Sequence, residues 1–268
     1  MIKYFVTSDI HSFYKEFLIA LHKKGFDLTN HNHKVIICGD LFDRGDQSVE
    51  LFDFIKQLQM EERLVYIRGN HEDLLYDCAN QMRIGLYPNS HHFSNGTVNT
   101  VSQLTGVHHS VCTCGDLYKT VNFSLLDEVL EFIDTHSVDY FELPQAIFVH
   151  GWIPCITQDF PAWYKQGRKY MFDKNWRDAS SSSWNTARWF NGMELSNNGI
   201  YIPDKLIVCG HWHTSWGHAK LNNTSEFGSD ARFTPFITKT CCAIDSCVAH
   251  SYFLNCVVFD ENGKLINQ

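Results

Sequence analysis

Lys34 to Asp46 reads Lys-Val-Ile-Ile-Cys-Gly-Asp-Leu-Phe-Asp-Arg-Gly-Asp, an apolar run that passes directly into carboxylates and an arginine. Val35 to Cys38 is continuous and rich in β-branched residues, the pattern of a strand covered on both faces. Such strands belong to sheets flanked by helices. Gly39 lets the backbone turn tightly, so Asp40 emerges at the sheet's carboxyl edge, where open α/β sheets bind their ligands. Asp43 and Arg44 follow within one turn.

The same alternation extends to both sides. Ile2 to Thr7 predicts a first strand, and Ser12 a cap for a helix with Phe13, Phe17, Leu18 and Leu21 on one face, stopped at Gly25. Ser48 can cap a helix carrying Val49, Leu51, Phe52, Ile55 and Leu58. Leu64 to Ile67 predicts a third strand, ending in Arg68-Gly69-Asn70-His71-Glu72, with a helix over Asp73 to Met82. Strand and helix in alternation imply a parallel sheet. Residues 83–135 break the rhythm and predict an insertion or partial lid within a single domain, 1–268, with a helix over Ser124 to Thr135. Strands follow at Tyr140 to Leu143 and Gln145 to Val149, a helix at Trp184 to Met193, and a strand at Lys205 to Cys209. Short strands fill Thr234 to Ile266, with a hairpin turn at Glu261-Asn262-Gly263.

Composition excludes several classes. A hydrophobic fraction of 44% supports a sizeable core, and a formal charge of -8 argues against general nucleic-acid binding, which needs clustered lysine and arginine. Met1 to Asp9 has no signal-peptide pattern, and no run is long enough to span a bilayer. Ten cysteines do not form a disulfide framework here, because Cys38, Cys209 and Cys256 sit inside apolar runs. The reading is a cytoplasmic monomer with no membrane partner. Cys112-Thr-Cys114 beside His108 and His109 has the spacing of no common structural zinc site.

Five apolar runs end in metal-capable residues: Asp9 and His11, Asp40 and Asp43, Asn70 and His71, His150, and His211 and His213. Parallel strands share a carboxyl edge, so five such endings converge on one polar site. Carboxylate and amide oxygens mixed with imidazole suit manganese, iron or zinc, and Asp40, with two oxygens and a central place, can bridge two ions.

These residues closely resemble the calcineurin-like metallophosphoesterase family. The matching stretches are Asp9-Ile10-His11, Gly39-Asp40-Leu41-Phe42-Asp43-Arg44-Gly45, Gly69-Asn70-His71-Glu72, His150-Gly151 and Gly210-His211-Trp212-His213, and the second and third resemble the serine/threonine phosphoprotein phosphatase branch. The resemblance implies an αββα sandwich of two mixed β-sheets flanked by helices, with a dinuclear metal centre. One ion would take Asp9, His11 and Asp40, with His213 completing or lining its shell; the other would take Asp40, Asn70, His150 and His211. Two cations about 3.5 to 4 Å apart would clamp a phosphate and acidify a bridging water that attacks phosphorus directly. Manganese is the expected ion in vitro.

If the side chains of Asn70 and His71 diverge from an extended backbone, His71 cannot easily share a metal with its neighbour and is better placed as general acid, with Asp43 orienting and charging its ring. Arg44 would grip phosphate oxygens with its planar fork, and Asn70 would also face the phosphate. By position, Arg188 matches the branch's second arginine, with Arg177 as competitor. Asp245 ends a further strand and resembles a late motif near that branch's active site, with a structural role equally open. Trp152, Trp163, Tyr164, Trp176 and Trp212 are candidates for stacking on a nucleobase.

The implied activity is metal-dependent hydrolysis of phosphomonoesters, on phosphoserine or phosphothreonine protein or a small phosphoester. Ser8 and Ser12 stand where the phosphoprotein branch usually has glycine, and Gly210-His-Trp-His213 is shared with phosphodiesterases. Dinucleoside-polyphosphate hydrolysis and phosphodiester cleavage are therefore the alternatives, and a non-catalytic scaffold is the alternative from a different class.

Overall fold

A computed structural model describes residues 1–113, 116–159 and 168–267. Strands β1 (Lys3–Thr7), β2 (His33–Cys38) and β3 (Leu64–Ile67) alternate with helices α1 (Tyr14–Lys23), α2 (Ser48–Met60) and α3 (Asn70–Arg83). Helices α4 (Ser90–Asn95), α5 (Thr97–Thr105) and α6 (Ser124–His136) lead to short strands β4 (Ser137–Val138), β5 (Phe141–Glu142) and β6 (Ala146–Phe148). Strands β7 (Cys155–Asp159) and β8 (Arg168–Phe172) pair with each other, before α7 (Ser181–Ala187), α8 (Gly192–Asn197), β9 (Leu206–Cys209) and α9 (Thr214–Asn222). The chain closes with β10 (Phe236–Ile237), β11 (Cys241–Ala243), α10 (Val248–Ser251), β12 (Val257–Asp260) and β13 (Leu265–Asn267).

One sheet has the order β13-β12-β1-β2-β3-β4, the other β10-β11-β9-β6-β5. β1 to β4 run parallel, with β12 antiparallel to β1, and β6, β9 and β11 run parallel in the second sheet. The period of two along β2 sorts the layers. Val35 and Ile37 face a core shared with Phe17, Leu51, Leu75 and Leu126 of the first helical layer. Ile36 and Cys38 face the other sheet, against Phe148, Val208 and Cys242. The second sheet's outer face, Ile147, Ile207 and Cys241, is covered by Trp152, Trp176, Trp184 and Met193. The result is the αββα sandwich of two mixed sheets, and it explains why β2 carries no polar alternation.

Several local expectations change. Neither Ser12 nor Ser48 caps a helix: their Oγ atoms pair with each other at 2.8 Å, and α1 starts at Tyr14 and α2 at Ser48 itself, each with no side-chain cap. Asn70 and His71 are the first two residues of α3, not extended backbone, because the helix begins three residues before Asp73. The helix expected over Trp184 to Met193 is two, because the chain turns so that Gly192 abuts Trp152 and Asn191 Oδ1 accepts the Glu194 N–H to start α8. Cys38, Cys209 and Cys256 are buried free thiols. Among the described residues no helix is long and apolar enough to cross a membrane.

Candidate metal centre

Because β1, β2 and β3 are parallel, and β6, β9 and β11 likewise, the loops after these strands meet along one edge of the sandwich. They bring Asp9, His11, Asp40, Arg44, Asn70, His71, His211, His213 and Asp245 to the walls of one cavity of about 150 Å³. Asp9, His11, Asp40, Asp43, Arg44 and His211 all have positive φ, from 51° to 80°, a backbone region that costs a non-glycine residue energy and persists where surroundings over-determine it.

At this site two groups of ligand-type atoms lie within 4.8 Å of one another, His11 with Asp40 and His71, and Asp40 with His150 and His211. Asp40 belongs to both. Its Oδ2 lies 3.9 Å from Nε2 of His11 and of His71, while its Oδ1 lies 3.4 Å from His150 Nε2. The Nδ1 atoms of His11 and His150 lie 2.8 Å from the carbonyls of Phe42 and Cys38. A carbonyl only accepts, so each Nδ1 carries the proton and a neutral ring turns its Nε2 lone pair into the cavity. His150 Nε2 then faces Asn70 Oδ1 at 2.7 Å, two electron-pair donors side by side as in a cation's donor set. Asp9 enters through its carboxylate, which accepts the His211 N–H at 3.0 and 3.1 Å.

The charges match this assignment. Burial pushes the Asp9 carboxyl well up, and the neighbouring carboxylates of Asp245 and Asp40 add to it. Burial would also raise Asp40, yet His150, His71, His11 and His211 around it bring it below the usual range. Burial lowers His11, helped by His71 and Arg44, and takes His211 to about 3 with help from His150, so both rings favour the neutral form a metal requires. His71 goes the other way. Burial opposes its charge, but Asp40 and the 2.6 Å contact of its Nδ1 with Asp43 Oδ2 raise it. Such carboxylate-rich walls fit divalent cations.

His213 lines the cavity wall, outside both groups, with its Nε2 on Glu226 Oε1 at 2.6 Å. Arg44 is exposed on the cavity's rim. Arg188 is not brought to it: the residue is 7% exposed and its guanidinium is bound to Asp73 at 2.8 Å, Asp139 at 2.7 Å and Asn185 at 2.8 Å. Arg177 instead pairs with Glu142 at 2.6 and 2.8 Å. Among the described residues Arg44 is the arginine lining this cavity. Of the stacking candidates, Trp152 and Trp176 are core residues, Trp212 packs on Trp216, and Trp163 and Tyr164, like Cys114, lie outside the described residues. Among the described residues, histidines aside, the aromatic side chain lining the cavity is Trp189, half exposed and edge-on to His211 at 5.7 Å.

Sequence reasoning gave no role to Glu72, although it named the motif containing it. Its carboxylate accepts the N–H groups of Gly69 at 2.6 Å, Leu41 at 2.9 Å and Asp40 at 3.1 Å. Asn95 of α4 also reaches the cavity, from a region without a motif, as do Cys247, Val248 and Ala249, which follow Asp245.

A model of the calcineurin-like phosphoesterase family matches residues 2–215. The asymmetrical bis(5'-nucleosyl)-tetraphosphatase PrpE of Anoxybacillus flavithermus is 35% identical over 79 residues, which are 27% of this chain and 32% of that protein. Its counterpart in Bacillus subtilis is 32% identical over 79 residues, with the same coverage. The matched stretch thus spans about a third of the length of these curated relatives. The solved cold-active protein-tyrosine phosphatase of a psychrophilic Shewanella superposes with a TM-score of 0.51 at 15% identity, covering 99% of this chain and 77% of that one, a likeness of fold.

Proposed function

Because this chain belongs to the calcineurin-like phosphoesterase family, we propose that it is a metal-dependent hydrolase of phosphomonoesters, acting on phosphoserine, phosphothreonine or a small phosphoester. The observation that carries the reading is the His71–Asp43 pair, 2.6 Å apart, with the ring's Nε2 turned toward Asp40 in a cavity rimmed by Arg44. Asp9, His11 and Asp40 would hold one ion, and Asp40, Asn70, His150 and His211 the other, with His213 beside the first. Bound divalent ions, manganese, iron or zinc by this donor set, supply Lewis acidity toward phosphoryl oxygens and lower the pKa of a water.

The protein's own groups do the rest. Arg44 presents its fork to the terminal phosphoryl oxygens, which a monoester offers and an internal diester lacks. A water oxygen bonds to phosphorus as the ester P–O bond breaks, and the His71 Nε2 proton passes to the leaving oxygen. Water loses a proton to solvent, so the products are alcohol and inorganic phosphate. Asp43 keeps the proton on Nδ1 and stabilises the imidazolium before transfer.

A second reading, asymmetric hydrolysis of a dinucleoside polyphosphate, is favoured by Trp189. This ring borders both the cavity and an adjoining groove lined by Tyr170, Asn185 and Phe190, and an exposed indole suits a base. The name of the curated relatives supports it too. The deciding experiment is turnover by the manganese-loaded protein of a phosphoserine peptide, diadenosine tetraphosphate and a bis-aryl phosphodiester. Preference for the peptide supports the monoesterase, preference for the dinucleotide the second reading. Turnover of none, with metal bound, overturns both in favour of a scaffold.

A further inference from the structure

The Asp43 carboxylate is wholly buried, and apart from its bond to His71 both of its oxygens are held by helix α5. Thr97 Oγ1 donates to Oδ2 at 2.8 Å, the oxygen that also takes His71 Nδ1, and Thr100 Oγ1 donates to Oδ1 at 2.8 Å. Thr100 Oγ1 in turn accepts the Asp43 N–H at 3.0 Å, so its single hydroxyl proton is committed to the carboxylate. Both threonines are buried. At the start of α5, Gly96 has φ 83°, and a Cβ there would lie 2.4 Å from Arg44 N and 2.8 Å from its Cα. The helix N-terminus is therefore pressed onto the Asp43–Arg44 backbone, while Val98, Val101 and Leu104 anchor the helix in the first core.

An aspartate bound only to an imidazole can rotate about its terminal torsion and carry the ring with it. Hydroxyls on both oxygens fix the carboxylate plane, and with it the direction of His71 Nε2. Misplacement of a reacting group by about 1 Å costs on the order of 10² in rate. We propose that Thr97 and Thr100 are positioning residues for the leaving-group proton: they clamp Asp43 so that His71 is held in its donating orientation. The segment 83–135 thereby reaches the chemistry through α5. This inference rests on the phosphoester-hydrolase reading.

The test uses Thr97→Val and Thr100→Val, which keep bulk and remove the donor, beside Thr97→Ser and Thr100→Ser, which keep it. Each manganese-loaded protein is assayed on phenyl phosphate, whose leaving group needs the proton, and on 2,4-dinitrophenyl phosphate, whose leaving group does not. The Val variants should lose about tenfold or more of kcat on phenyl phosphate. KM should be unchanged, activity on the dinitrophenyl ester should stay within about twofold, and the Ser variants should recover. Equal losses on both esters, or none on either, overturn the proposal. Should the Val variants not fold, Thr97→Cys and Thr100→Cys, with weak S–H donors of similar bulk, are judged by the same criterion. If the unmodified protein hydrolyses neither ester, the hydrolase reading falls, and the His71 Nδ1–H proton resonance decides the clamp by itself. A shifted resonance in faster exchange with water in the variants supports it, and an unchanged one overturns it.

Discussion

Glu72 Oε2 accepts the backbone N–H of Asp40 at 3.1 Å, and the same carboxylate accepts those of Leu41 and Gly69. It stitches the loop after β2 to the loop after β3, and Glu72 is itself 1% exposed. Glu72→Ala leaves three buried donors without partners, each worth about 1 to 3 kcal/mol. We expect a loss of about 4 kcal/mol in urea unfolding, with Glu72→Gln, which keeps one acceptor oxygen, losing less. Equal stability of Glu72→Ala and the parent would show that the loops are held by something else.

Gly39 sits at φ 83°, and a Cβ there would lie 2.4 Å from His150 Nδ1 and 2.7 Å from Gly69 Cα. Neither neighbour is the free end of a flexible chain. Gly39→Ala must displace the imidazole from the Cys38 carbonyl that fixes its proton, as well as strain the turn. Manganese affinity by calorimetry should fall about tenfold to a hundredfold while far-UV circular dichroism stays that of a folded chain. Unchanged affinity would separate His150 from the metals.

Arg44 lines the cavity, whereas Arg188 is bound to Asp73 and Asp139. Arg44→Ala should raise KM for a phosphomonoester about tenfold or more, through loss of charge-assisted bonds to phosphate. Arg188→Ala removes the arginine from Asp139 and leaves Asp73 with Arg68 alone, and should lower the thermal midpoint with KM unchanged. A raised KM in Arg188→Ala would return that residue to the substrate.

The convergence of these residues is legible in the sequence because each follows its strand end within a few residues, so a local pattern carries both the element and the side-chain chemistry. The sandwich is legible for the same reason, since an apolar run without alternation requires cover on both faces. Contacts made from far along the chain are not. Thr97 and Thr100 are 54 and 57 positions from Asp43, in a stretch with no motif around them. Arg188 fails through register. Successive residues leaving a helix point about 100° apart, and at the end of α7 it is Trp189 that faces the cavity while Arg188 turns to Asp73 and Asp139. No local rule fixes a helix end to one residue.

Away from the cavity, Glu142 joins Arg177 and Lys205 at 2.6 Å each. Arg177 foremost, then Lys205 against the effect of burial, hold its carboxyl at about 2. A depressed folded pKa means the unfolded chain binds the proton first as pH falls. This stabilisation is complete above the unfolded value near 4.3 and is lost as pH drops toward 2. The urea midpoint should therefore fall less steeply between pH 5 and pH 3 in Glu142→Gln than in the parent. Parallel slopes would mean that the cluster contributes nothing.

Asp9, Asp40 and Asp245 crowd one cavity whose walls, among the described residues, offer Arg44 as the arginine. Burial, then Asp245 and Asp40, disfavour the charged form of Asp9, so the metal-free fold carries a repulsion that a divalent ion removes. An ion that binds the native state alone adds about 2.7 kcal/mol at a hundredfold excess over its Kd, roughly 5 to 10 °C in thermal midpoint for a chain of this size. Manganese should raise the midpoint by that amount and chelation should reverse it. Asp9→Asn separates repulsion from ligation, because it relieves the first and weakens the second. Its chelated midpoint should be no lower than that of the parent, while its gain from manganese should be less than half as large. Equal gains in the two proteins would remove Asp9 from the metal's ligands and leave the carboxylate as a structural acceptor for the His211 N–H.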